Sequence, residues 1–297
     1  MMLWRNIAEL LAYWRPDPRL ARYVSGYHFY RVPDDAGAPL RDVFFPSWSL
    51  LRFAFGATAW SVRLGRRTFS PVPDASFAGP SSHAGYVEAR SGVLVGAGIL
   101  PAGWARLIGG DVSRFADRIA PMGAVIDDPG ALAAAVRRAM DDDGSPAAAF
   151  DRFFLQRLDA RPRGNPSVER LFAAINDPGV DRAGPLAEEL GLSAAGLATL
   201  ARRNFGFTPK LLLRRARFLR ALAAAVETER GRWGEVAREA GYWDASHFLR
   251  DCHLFLDQPL GEFLRMRRPL NARSMEVRRH VLGAPMQSLH PPEPTET

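Results

Sequence analysis

The spacing of apolar residues changes several times along the chain, and each change predicts a different kind of element. Leu3, Trp4, Ile7, Leu10, Leu11 and Trp14 fall three and four apart, one apolar stripe on a short helix. The stripe suits packing on its own domain or a helix-to-helix dimer contact. From Tyr23 the pattern turns to short runs rich in Val, Phe, Tyr and Trp, broken by Gly, Pro and Asp. Strands are predicted over Tyr23–Tyr30, Val43–Phe45, Ser49–Phe55, Trp60–Leu64, Tyr86–Ala89 and Val93–Ile99. Short strands with turn chemistry between them predict a small antiparallel barrel or sandwich. After Gly110 the spacing becomes helical. Asp128 caps a helix over Gly130–Met140 with Pro129 at its start. Asp141–Gly144 is the expected loop before a second helix, Pro146–Leu158, with Phe150, Phe153, Phe154 and Leu158 inward.

Asp159–Ser167, polar with two Pro and a Gly, reads as a domain linker. Beyond it the chain is helical. Val168–Ile175 forms a short helix that stops at Asn176–Gly179. A helical pair follows: Leu186, Ala187 and Leu190 face inward from a helix opened by Pro185, Gly191 makes the turn, and Ser193 caps Ala194–Asn204. Gly206–Pro209 closes that unit and opens a helix over Pro209–Val226, 18 residues or about 27 Å. The unit then recurs. Trp233, Val236, Ala237 and Ala240 precede Gly241, Asp244 is the cap, and Phe248 stands where Leu197 stood, after a turn one residue longer. The predicted class is α+β with two domains. Residues 1–160 form an antiparallel β barrel or sandwich with flanking helices, and 161–167 a linker. Residues 168–270 form an all-α domain of two helix-turn-helix units on a linker helix. Residues 271–297 form a tail with a disordered end.

Composition sharpens this picture. A length of 297 residues with 47% hydrophobic content suits two globular domains. The isoelectric point near 10.2 is almost wholly an arginine effect, because Lys210 is the sole lysine among 39 basic residues. Between Ala201 and Val226 lie Arg202, Arg203, Lys210, Arg214, Arg215, Arg217 and Arg220 with no acid among them. A block of one sign inside a folded region is an electrostatic footprint for phosphate. Cys252 is the single cysteine, so no disulfide forms within the chain, as suits a reducing compartment. The first twenty residues carry Arg5, Glu9 and Arg15 and lack a cleavage site, and the apolar run Gly92–Gly110 is broken by Pro101 and Arg106. The expected location is cytoplasmic, at the nucleoid.

Catalysis is not expected. His28 and His83 stand far apart, with no HxH or HxxxH spacing, no GxSxG, no phosphate-cradling glycine loop and no Cys–His pair in suitable company. No metal or cofactor is expected either. A barrel can hold an apolar ligand in its mouth, and Tyr30, Trp48, Phe53 and Trp60 are the candidate lining. A cupin-like small-molecule-binding protein, or an enzyme with a degenerate helical appendage, is the rival reading.

The second unit reads Gly241-Tyr242-Trp243-Asp244-Ala245-Ser246-His247-Phe248-Leu249-Arg250. With Leu186–Ser193, the junction Gly206–Pro209 and the basic linker helix, it resembles the AraC/XylS family of bacterial transcription regulators. The resemblance covers about Val168–Leu270. The β-rich half is similar, less specifically, to the cupin-like sensor domains joined to that family, through Pro101–Gly110. The resemblance implies double-stranded DNA as partner, with recognition helices in successive major grooves. RNA polymerase, a small-molecule effector and a second copy joined through the N-terminal half are candidate partners. It places base contacts at Ala195, Ala198 and Thr199 and at Ser246, His247 and Arg250, with Arg250 suited to a guanine edge. Arg202, Arg203, Lys210, Arg214 and Arg215 become candidates for phosphate. Ala195, Gly196 and Ala198 stand where the family carries long polar side chains, so the second unit should do most of the reading.

Overall fold

Strand β4 (Ser49–Phe55) buries every second side chain, the period-two signature that predicted it, and it sits centrally in a six-stranded sheet. The computed structural model describes residues 11–32, 39–56, 60–161, 164–228 and 232–292. The sheet runs β1 (Leu11–Trp14), β2 (Val24–Val32), β9 (Gly92–Ile99), β4, β7 (Ala75–Ala78), β10 (Ile119–Pro121). A four-stranded sheet lies across it: β3 (Leu40–Phe44), β8 (Gly85–Ala89), β5 (Ser61–Leu64), β6 (Arg67–Phe69). Every pairing is antiparallel.

All six predicted runs are strands, and four more join them. β6, β7 and β10 span only three or four residues, too few to show a period. β1 corrects the expected N-terminal helix. Leu11 pairs with Tyr30 and Trp14 with Tyr27 across an antiparallel ladder, so sheet pairing overrides the helical spacing there. Leu3 to Leu10 of that stripe lie outside the described residues.

One face of the large sheet packs on helices. Tyr27 stacks on Phe150 at 5.0 Å between ring centres, and Phe53 lies 6.4 Å from the same ring. The other face meets the small sheet, where Tyr30 and Leu94 pack with Trp60, Val62 and Val87. A single turn, α1 (Pro101–Gly103), leads into a wider π-helical turn at Trp104–Ile108. Helix α2 (Pro129–Asp143) is capped by Asp128, whose side chain accepts from the Ala131 amide at 2.9 Å. It absorbs the expected loop at Asp141–Asp143 and stops at Gly144, in the left-handed region at φ 65°. Helices α3 (Ala147–Ala160) and α4 (Pro166–Asn176) bracket the linker.

Among the described residues seven α-helices follow: α5 (Ala183–Glu189), α6 (Ala194–Phe205), α7 (Pro209–Glu227), α8 (Trp233–Glu239), α9 (Ala245–Leu256), α10 (Leu260–Arg265) and α11 (Pro269–Leu282). The apolar core does not stop at the linker. Trp48 of the β-rich half meets Phe172 and Phe205 edge-on at 6.0 and 5.7 Å. A second cluster joins Val43, Phe45 and Ala84 to Phe218, Leu219 and Phe255. The C-terminal tail is also corrected. Helix α11 lies against β1 and β3, and Leu282, Ala284, Met286 and Ser288 are buried. The Ser288 hydroxyl donates to the Pro46 carbonyl at 2.9 Å. Met286 packs with Val43 and Phe45 of the barrel and with Phe218 and Leu219 of α7, partners distant in sequence; residues 293–297 lie outside the described residues.

Candidate nucleic-acid interface

Two halves of the helical region repeat bond for bond. In the first unit the Leu192 amide donates to the Ala187 carbonyl at 2.9 Å, and Gly191 to Glu188 at 3.0 Å. In the second, Tyr242 donates to Ala237 at 2.9 Å and Gly241 to Arg238 at 3.0 Å. Gly191 and Gly241 hold φ values of 66° and 82°, which a side chain would strain. Each second helix is then capped alike. Ser193 accepts from Gly196 at 3.0 Å, and Asp244 from His247 at 2.7 Å. The core anchors Leu197 and Phe248 are buried.

This scaffold turns the sequence-predicted reading positions outward. Ala195 and Thr199 on α6 are exposed and Ala198 is half-buried; on α9, Ser246 and Arg250 are exposed and His247 is half-buried. The two faces see different surroundings. Ala195, Gly196, Thr199 and Arg203 form one wall of an open groove whose other wall includes Ala105, Gly109 and Gly110 of the β-rich half. His247 instead lines a concave surface shared by α7 and the second unit, with Lys210, Arg214, Arg217 and Arg220 also on it.

The phosphate candidates divide by burial. Arg202, Arg203 and Lys210 are exposed. Arg215 is corrected: at 2% exposure it points into the junction with the β-rich half, donating to the Ser81 carbonyl at 2.7 Å. A 19-residue helix has an inner side, and Arg215 lies on it beside Ala216 and Leu219. Arg214 is partly committed. Its Nε donates to Asp251 Oδ1 at 2.8 Å, its Nη2 donates to the same oxygen, and the Tyr242 hydroxyl donates to Oδ2 at 2.7 Å. That cluster fastens α7 to α9, and Asp251 is fully buried. Burial, then the neighbouring Asp251 carboxylate, pushes the Tyr242 phenol up, so it stays a donor.

Arg217 and Arg220 line the same concave surface as Lys210 and Arg214, although the sequence reading did not place them among the phosphate candidates. The Arg217 guanidinium stacks 4.6 Å from the Tyr242 ring, and the Arg217 Nε and an Arg220 terminal nitrogen are buried without a hydrogen-bond partner. The acid-free run Ala201–Val226 contained that signal; the helix face was needed to sort it.

The lining expected for the barrel ligand also divides. Trp48 and Phe53 are corrected: both are packed in the core against helices, Trp48 under Arg215 and Phe53 beside Phe55 and Phe150. Tyr30 and Trp60 lie on the other face, between the sheets, and line two adjoining cavities. Among the described residues no group of three His, Cys, Asp or Glu is placed to hold a metal ion, and no helix is long and apolar enough to cross a membrane.

The duplicated helix-turn-helix and the basic helix between its copies form a helix-turn-helix domain. Residues 186–266 match the model of the helix-turn-helix domain family. A comparison with curated proteins found no match. Among solved structures, ToxT from Vibrio cholerae is similar at 11% identity, covering 80% of this chain and 97% of that one with a TM-score of 0.46. A ToxT complex with (E)-4-(8-methylnaphthalen-1-yl)but-3-enoic acid gives 11%, 80% and 96%, with a TM-score of 0.44. The AraC-like transcriptional activator CuxR gives 13% identity, 71% and 86% coverage, and a TM-score of 0.24.

Proposed function

We propose that the chain is a sequence-specific regulator that sets α6 and α9 into successive major grooves of one duplex, under the control of a small molecule held in the β-rich half. The repeat of identical turn and cap hydrogen bonds at both ends of a basic helix carries this reading. A helix of 19 residues extends about 28 Å, close to the roughly 34 Å between successive grooves. Lys210, Arg217 and Arg220 lie between the units, where a phosphate strand would cross. We assign residues 168–270 to DNA binding and 1–160 to sensing, with 161–167 between them.

Base reading is assigned mainly to Ser246, His247 and Arg250. Ala195 and Ala198 offer methyl groups, which touch thymine methyls but make no base hydrogen bonds. That same poverty favours the rival reading, a small-molecule-binding protein with a structural helical half. Titrating salt against DNA from upstream of the chain's own and neighbouring genes separates the two. A regulator loses affinity steeply with salt and keeps a preference over random DNA. No preference at any salt would leave the rival standing.

A further inference from the structure

Two arginines face one cavity with no acid beside them among the described residues. Arg52 projects from β4 and Arg278 from α11 into one cavity of about 80 Å³. Arg278 is 5% exposed; one terminal nitrogen donates to the Ala284 carbonyl at 2.7 Å, and the other is buried with no partner. The Nε of Arg52 is likewise buried and unpartnered, and its guanidinium rests 4.9 Å from the Phe44 ring. His28, 4% exposed, has a third orphan nitrogen, Nε2, in the space left open by Gly96; a Cβ there would stand 2.6 Å from it.

The groups facing these cations do not neutralise them. Tyr13 and Tyr30 share a hydrogen bond, and Tyr13 also bonds Ser274. Burial pushes the Tyr13 phenol up and the His28 imidazole down, so both are neutral. Among the described residues no carboxylate pairs with Arg52 or Arg278. An unpaired charge in such a place is strongly unfavourable, and a guanidinium fork is shaped for a planar oxyanion. The remaining wall is mostly apolar, with Phe45, Leu50, Met275 and Met286 prominent and Ser25, Ser47, Asn271 and Gln287 set among them. Inorganic phosphate, hydrated on all four oxygens, would leave the apolar part of such a wall unmatched.

We propose that this cavity binds a compact organic carboxylate, its carboxylate clamped between Arg52 and Arg278 and its apolar body against Phe44, Leu50 and Met275. The assignment rests on the regulator reading above and names the site and chemistry of its effector. It also supplies a coupling. Helix α11 follows the second helix-turn-helix unit after only α10 and a short turn, so a carboxylate shared by β4 and α11 ties the sensor sheet to the reading end.

The test is melting and calorimetry of the full chain with sodium benzoate, sodium hexanoate, inorganic phosphate, and the neutral benzamide and hexanamide. A carboxylate should raise the melting temperature by several degrees at about a hundredfold excess over its Kd, and its amide should not. Arg52→Met and Arg278→Met should each abolish the shift; without carboxylate Arg52→Met should melt no lower than wild type, because an unpaired buried cation is replaced at similar volume, whereas Arg278→Met also loses the bond to the Ala284 carbonyl. Arg278→Lys keeps the charge, loses the fork and should weaken binding about tenfold. Equal shifts from acid and amide, a shift from phosphate alone, no shift at all, or a shift surviving Arg278→Met each overturn the site. A chain that binds DNA but ignores the carboxylates loses this site and keeps its reading as a regulator. One that binds them but shows no DNA preference does the reverse.

Discussion

The guanidinium carbon of Arg215 lies 4.0 Å from the centre of the Trp48 ring. Arg215 belongs to the helix that links the two reading units, and Trp48 to the β-rich half. The cation is stacked on the ring and anchored by the Ser81 carbonyl, with Ser47 also within reach at 3.4 Å. One side chain thereby fixes the bearing of the DNA-binding scaffold on the sheet.

Arg215→Ala should therefore lower stability by roughly 2–4 kcal/mol, through lost stacking, lost charged hydrogen bonds and a cavity under Trp48. Arg202→Ala, on the exposed side, should change stability by no more than about 0.5 kcal/mol and weaken DNA binding instead. Urea unfolding and a DNA titration of both variants check the contrast. An Arg215→Ala protein as stable as Arg202→Ala would show that this contact is not structural.

The two reading helices should contribute unequally. Arg250→Ala is expected to cost about 1–3 kcal/mol of binding and to relax one base position, while Thr199→Ala costs less and relaxes none. Selection from a randomised site library reports both. If Thr199→Ala erodes specificity as much as Arg250→Ala, the two units read alike.

Asp251 is the node between α7 and α9. Tyr242→Phe removes one hydrogen bond and should cost about 1 kcal/mol. Asp251→Ala strips the partners from both Arg214 and Tyr242, but Arg214 is 38% exposed and can turn to water, so the loss should be nearer about 2–3 kcal/mol. Charge at Arg214 survives, so a folded Asp251→Asn protein should keep its salt slope and lose affinity through misplacement of α9. A changed slope with unchanged geometry would instead make Arg214 a phosphate contact.

Stability should fall on acidification through the buried histidines. Burial, then Arg278, depresses His290 to about 4, and burial with Arg52 and Arg278 lowers His28. Both are neutral when folded and gain a proton near pH 6.5 when unfolded. The unfolded chain thus binds more protons between pH 6.5 and about 4, and stability present above pH 6.5 drains away down that window. Each histidine contributes at most about 1.4 kcal/mol per pH unit there. Denaturant midpoints of His290→Gln measured at pH 7 and pH 5 should differ less than those of the wild type.

Local chemistry alone determined the strands at Ser49–Phe55 and Val93–Ile99, the capped helices, and the duplicated units with Gly191 and Gly241 at their turns. These are short-range properties, set by period, cap and turn, and a sequence displays them directly. The outward placement of Thr199, Ser246 and Arg250 follows from the same periodicity once Leu197 and Phe248 are known to be core. Tertiary structure decided everything that depends on which surfaces meet. Leu11–Trp14 is a strand because Tyr27–Tyr30 offers it an edge. Arg215 is a strut and Arg217 a groove lining because α7 turns one side to the β-rich half. Phe53 is core and Tyr30 faces a cavity because the large sheet turns one face to the helices and the other to the small sheet. Arg52 and Arg278, 226 positions apart, come to line one cavity only when α11 folds back on the barrel. Spacing along a chain fixes one residue's neighbours within a helix or strand. It carries no record of a neighbour supplied by the far end of the molecule.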